Sequence, residues 1–92
     1  MDLGELRRKI DEIDDELISL FMQRMDVSAE IARYKHKNSM PVYDPAREQQ
    51  KLQELSQKVK KGHEVYISAL YTLLFELSRA DQERIINARE TF

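Results

Sequence analysis

Apolar residues recur at steps of three and four along the first third of the chain, at Leu3, Leu6, Ile10, Ile13, Leu17, Leu20, Val27, Ile31 and Tyr34. That spacing is a continuous stripe on one helix face, and it predicts a first helix from near Asp2 to about Lys37. Nothing between Glu5 and Lys37 breaks it, and Asn38 followed by Pro41 ends it. At 1.5 Å per residue such a helix is roughly 50 Å long, more than the width of a compact domain of this size. It must project, and the stripe on its projecting part needs a cover. The three-four alternation is that of a coiled-coil seam, which makes a second copy of the chain the economical partner.

A short connection from Asn38 to Tyr43 follows. Asp44 and Pro45 form an N-cap plus first-turn proline, opening a second helix of about four turns with Leu52, Leu55 and Val59 as its apolar row. Lys58, Lys60 and Lys61 suit the negative end of that helix, and Gly62 supplies the left-handed residue to close it. A third helix is expected from about Glu64 to near Arg89, directing Tyr66, Leu70, Leu73, Leu74, Leu77 and Ile85 inward. No segment has the two-residue period of a strand. The expected fold is all-α, with a long, a short and a long helix in one domain over residues 1–92.

Polar residues interrupt each stripe. Arg24 falls on the first row, where a guanidinium that cannot shed its charge is costly to bury without an anion nearby. Continuing from Arg24 at helical offsets gives Ser28, Ile31 and Lys35, so a second cation points to roughly the same side. Extending the Leu52 row back one turn reaches Glu48. In the last helix, Leu70 and Leu74 step on to Ser78 and then Gln82 before Ile85 and Ile86 restore apolar character. If those polar stretches meet, they line a small, charged, enclosed pocket.

Each residue also has a plain reading when taken singly. Arg24 sets register or oligomer state, Lys35 is a solvated cation at a helix C-terminus, and Glu48 complements a helix dipole. Ser78 bonds back to its own helix, and Gln82 is a partly exposed helix former. Arg7, with Asp11 one turn ahead, reads as a surface ion pair, and Arg47 with Lys51 and Glu54 as a charged outer face. Their joint occurrence on three helices favours the pocket.

Composition narrows the chemistry. Only two glycines and two prolines punctuate 92 residues, in keeping with long helices, and the formal net charge of -2 gives no general pull toward nucleic acid or an anionic membrane. Basic residues are interspersed with acids, so any anion must be held by a local site. The chain has no cysteine, which removes disulfides and thiolate zinc sites and fits a reducing cytoplasm. His36 and His63 have no second metal ligand at helical spacing and read as solvated histidines near helix ends. Neither a signal peptide nor a long uncharged apolar run is present, so the expected location is cytoplasmic.

A pocket built from these stripes holds several cations, neutral donors and one carboxylate. It has no serine or cysteine paired with a base, no metal cluster and no glycine-rich phosphate loop. Covalent or metal-assisted chemistry is not easily run in such a site. It suits gripping a small multiply anionic molecule, fixing its shape, and stabilising charge that develops in a unimolecular rearrangement.

The ordered set of residues resembles the all-helical chorismate mutases of bacterial shikimate metabolism over essentially the whole length. It runs from the Leu6-Arg7-x-x-Ile10 opening through the Asp14 to Leu17 region, Arg24 and Lys35. It continues with the Pro41-Val42-Tyr43-Asp44 linker and Arg47-Glu48, and ends with Ser78 and Gln82 one turn apart. The resemblance implies an intertwined homodimer in which each site borrows an arginine from the other subunit. Carried over, Arg7 is that arginine, and with Arg24 and Arg47 it neutralises two substrate carboxylates. Arg8 is adjacent, but helical phase with Ile10 and Asp14 favours Arg7. Lys35 would contact a carboxylate and the ether oxygen of the breaking bond, and Gln82 would donate to the same oxygen. Glu48, with the backbone near Asp44, would take the ring hydroxyl, and Ser78 would assist at a carboxylate. The implied reaction is the cofactor-free Claisen rearrangement of chorismate to prephenate in phenylalanine and tyrosine biosynthesis. Two other readings stand beside it: an isochorismate pyruvate lyase, similar in fold and cationic pocket, and a non-catalytic helical dimerisation module in which Arg24 only sets register.

Overall fold

A computed structural model describes residues 1–90, the side chains of 89 and 90 excepted. It contains three helices, α1 (Leu3–Lys37), α2 (Pro45–Ser56) and α3 (Glu64–Glu90), and no strand among the described residues. None of the helices is long and apolar enough to cross a membrane.

Local chemistry sets the helix ends. The Asp2 carboxylate accepts the Glu5 amide at 2.8 Å, capping α1. At the other end the Asn38 side chain donates to the Tyr34 carbonyl at 2.8 Å, and Ser39 takes the left-handed conformation (φ 53°) that lets the Met40 amide reach back to the Lys35 carbonyl. Asp44 caps α2 by accepting the Arg47 amide at 3.1 Å, with Pro45 in the first turn.

The second helix is shorter than its sequence predicts. It stops at Ser56, whose hydroxyl donates to the Gln53 carbonyl at 2.7 Å while the Gln57 and Lys58 amides turn back to Glu54 and Leu55 in tight three-residue steps. Lys58, Lys60 and Lys61 therefore lie beyond the helix. Gly62 does adopt a left-handed φ of 97°, but in the turn that precedes α3, where its amide donates to the Glu64 carboxylate at 2.7 Å.

Two side-chain bridges define how α1 and α3 run. Arg24 bonds Ser78 and, one turn on, Ser28 is bonded by Gln82, each pair 54 residues apart. A constant offset means that the two helices advance in the same direction. Small residues let them approach closely, and Ala32, the next on that face, is fully buried. The third helix also carries α2, with Leu55 buried. No packing joins α1 to α2, so α3 forms a floor from which two walls rise.

The protomer is elongated, 55 × 28 × 14 Å, with a radius of gyration of 16.7 Å. A compact chain of this length would have about 12 Å. Its accessible surface is 7495 Å², against about 5,600 Å² for a compact protein of this mass. Much of the excess is α1, where every residue from Leu3 to Leu20 is exposed. The row on α3 differs from the expected one. Tyr66, Leu70, Leu73 and Leu77 are exposed in the protomer, while Leu74 and Ile85 are half-buried. The reason is geometric: α1 lies against the Ser78–Gln82 side of α3, and that apolar row lies on another side.

Candidate active site

The gap between the two walls is a cavity of about 420 Å³, within the usual range for small-molecule sites, bounded by α1, the linker, α2 and α3 and open to solvent along one side. In one protomer it is therefore a cleft and not the enclosed pocket the sequence predicts. Seven of the eight expected site residues line it: Arg24, Lys35, Asp44, Arg47, Glu48, Ser78 and Gln82.

Polar residues are built into the seam between α1 and α3. Ser28, Ser78 and Gln82 are only 5%, 8% and 7% exposed, a depth at which an unbonded polar group would destabilise the fold. All are satisfied. Arg24 Nη1 donates to Ser78 Oγ at 2.6 Å, and Gln82 Nε2 donates to Ser28 Oγ at 2.9 Å. Each donor keeps spare hydrogens, since a guanidinium has five N–H bonds and an amide two. The Arg24 guanidinium also stands 5.9 Å from the centroid of the Tyr71 ring.

Lys35 closes the same wall further along α1. Its half-buried Nζ donates to the Val42 carbonyl at 2.8 Å, tying the end of the helix to the linker and leaving two ammonium hydrogens free. On the opposite wall Arg47 and Lys51, one turn apart, both line the cavity. This corrects the outer-face reading of that pair. An α2 that rests on α3 alone leaves this flank toward α1 uncovered.

Glu48 is paired with Arg79 of α3, whose Nη1 reaches both carboxylate oxygens. That hydrogen bond holds the Arg79 guanidinium more firmly protonated than an ordinary arginine. The guanidinium also lies over the Tyr43 ring, 4.8 Å from its centroid.

The lining brings together five cations, Arg24, Lys35, Arg47, Lys51 and Arg79, against two carboxylates, Asp44 and Glu48. Both carboxylates are already engaged, one as a helix cap and one by Arg79. The remaining positive charge could hold a small anion carrying more than one charge. No cluster of histidines, cysteines or acids able to hold a metal occurs among the described residues.

Arg7 does not reach this cavity. It lies on the exposed part of α1, about 25 Å along the axis from Arg24, and among the described residues it forms no ion pair with Asp11. Ser28, Lys51 and Arg79 line the cavity without having been singled out as site residues from the sequence. Ser28 and Lys51 each stand one turn from a residue that was, Arg24 and Arg47. Arg79 is off the Leu74–Ser78–Gln82 row by one position, and only its phase with Phe75 and Gln82 placed it on the same side.

Comparison with known proteins gives concordant results. The family model described as chorismate mutase type II matches residues 6–83. The chain is 30% identical over 87 residues to the chorismate mutase of Methanocaldococcus jannaschii, covering 91% of this chain and 87% of that protein. It is 37% identical over 60 residues to the T-protein of Haemophilus influenzae, covering 65% of this chain. It is 33% identical over 88 residues to a bifunctional chorismate mutase/prephenate dehydratase of Buchnera aphidicola, covering 94% of this chain. The aligned parts make up 16% of the T-protein and 23% of the bifunctional protein. Among solved structures, that of chorismate mutase from Helicobacter pylori in complex with prephenate superimposes with a TM-score of 0.84 at 36% identity, over 92% of this chain and 93% of that one.

Proposed function

Because this chain belongs to the chorismate mutase type II family, we propose that it converts chorismate to prephenate by a Claisen rearrangement, on the route to phenylalanine and tyrosine and in the cytoplasm. The observation that carries the proposal is the convergence of cations and one buried amide, from three helices, on one small cavity. In this rearrangement the ether carbon–oxygen bond breaks as a new carbon–carbon bond forms, within one molecule and with no group leaving. The protein's task is to hold the substrate dianion folded and to stabilise the negative charge that grows on the ether oxygen.

The spare hydrogens on Lys35 Nζ and on the Gln82 amide suit that oxygen. Both groups are anchored before substrate arrives, Lys35 by Val42 and Gln82 by Ser28, so little reorganisation accompanies the reaction. In this reading Arg24 and Arg47 take the two carboxylates, with Ser78 assisting. Glu48, together with the backbone near Asp44, accepts the ring hydroxyl.

The open side of the cleft is closed in this reading by a second copy of the chain. The bare α1 from Leu3 to Leu20, the exposed row on α3 and the excess surface support a homodimer in which α1 of each protomer crosses the other. Arg7, carried on that part of α1, then completes the partner's site.

Loss of chorismate absorbance with prephenate as the product tests the assignment. No loss of chorismate, with salicylate and pyruvate formed from isochorismate, would establish the lyase. Inertness toward both would leave a dimerisation module. A second expectation concerns Gln82. An amide donates at any pH, so wild-type activity is flat between about pH 5 and 8 as far as this residue is concerned. In Gln82→Glu only the protonated acid donates to the ether oxygen, so turnover rises as pH falls. A flat profile for that variant would place the side chain away from the breaking bond.

A further inference from the structure

Arg79 has no part in the binding scheme above, yet it is the cavity cation with the most interactions. Its guanidinium grips Glu48 through both carboxylate oxygens and is held against Tyr43. The Glu48 side chain is 21% exposed and that of Arg79 29%, so water screens the pair only in part.

Glu48 poses a problem for a site that receives a dianion. A bare carboxylate on the wall would repel the substrate's own carboxylates, whereas a neutral wall would lose the strong acceptor that a ring hydroxyl seeks. A carboxylate has about four acceptor positions, and a donor from Arg79 leaves others open. Pairing with Arg79 therefore removes the repulsion and keeps the acceptor. Tyr43, beneath the guanidinium, restrains it from swinging into the cavity toward the substrate.

We infer that Arg79 is a positioning residue, which cancels the charge of Glu48 and fixes its carboxylate so that Glu48 receives a hydroxyl of a dianionic substrate without repelling it. This rests on the mutase reading. The effect falls on binding, because the hydroxyl itself is carried unchanged from substrate to product and belongs to none of the bonds that break or form.

Steady-state kinetics with chorismate on four proteins tests it. In Arg79→Met, KM rises about tenfold or more while kcat stays within about threefold of wild type. Arg79→Lys, which keeps the charge, stays close to the wild-type KM. Adding Glu48→Gln to Arg79→Met brings KM most of the way back, since glutamine keeps an acceptor oxygen and leaves no unpaired charge. A merely structural arginine would not be rescued in this way. Wild type that fails to convert chorismate would remove the functional reading and this inference with it. Wild type that converts it, with an unchanged KM in Arg79→Met or no recovery in the double variant, would remove this inference alone.

Discussion

Replacing Lys35 with alanine is expected to lower kcat/KM for chorismate a few hundredfold, about 3 to 4 kcal/mol of transition-state stabilisation. Lys37→Ala should stay within about twofold of wild type. The contrast isolates position from charge, because both variants lose one lysine from the last turn of α1. Lys35 is half-buried, bonded to the linker carbonyl of Val42, and lines the cavity, whereas Lys37 is exposed and does not. A fixed ammonium in a site poor in water opposes a growing oxyanion far better than one in bulk solvent. Initial rates at several chorismate concentrations decide the matter. Equal activities for the two variants would show that no charge develops near Lys35.

Mixing two dead subunits should restore activity. Arg7→Ala and Arg24→Ala homodimers are each expected to be nearly inactive, because each lacks one arginine in both of its sites. After unfolding and refolding together in equal amounts, about half of the dimers pair one variant with the other, and each of these holds one intact site. Recovery then approaches about a quarter of wild-type activity. The basis is distance: Arg7 and Arg24 are about 25 Å apart along one rigid helix and cannot meet at one ligand unless they come from different chains. If the mixture stays inactive, Arg7 is not shared. If Arg7→Ala alone stays active while an Arg8→Ala subunit is inactive until mixed with Arg24→Ala, the neighbour is the borrowed residue.

Much of the architecture is legible in the residue pattern, because helix boundaries are local events. Asp2, the Asn38 to Pro41 segment and the Asp44-Pro45 pair act within a turn of where they sit, and they mark the ends of α1 and the start of α2 correctly. The end of α2 was not legible. Gly62 looked like its stop, but hydrogen bonding around Ser56 closes the helix earlier and the glycine serves the next turn instead. Of the α3 row that the pattern directs inward, only Leu74 and Ile85 are partly covered in the protomer, because periodicity shows that a face is apolar and not what covers it. Arg24, Ser78 and Gln82 could be found as polar breaks in apolar rows, and Arg79 could not. Its role comes from Glu48, 31 residues away on another helix, and no spacing rule links the two.

Among the described residues, only Ala32 and Leu55 are apolar side chains buried within the protomer. A chain with so little interior of its own has scant reason to hold its shape alone, so in the proposed homodimer folding and association become a single equilibrium. Dilution would then act on this protein as urea acts on others, and its abundance in a cell would govern how many molecules are folded at all.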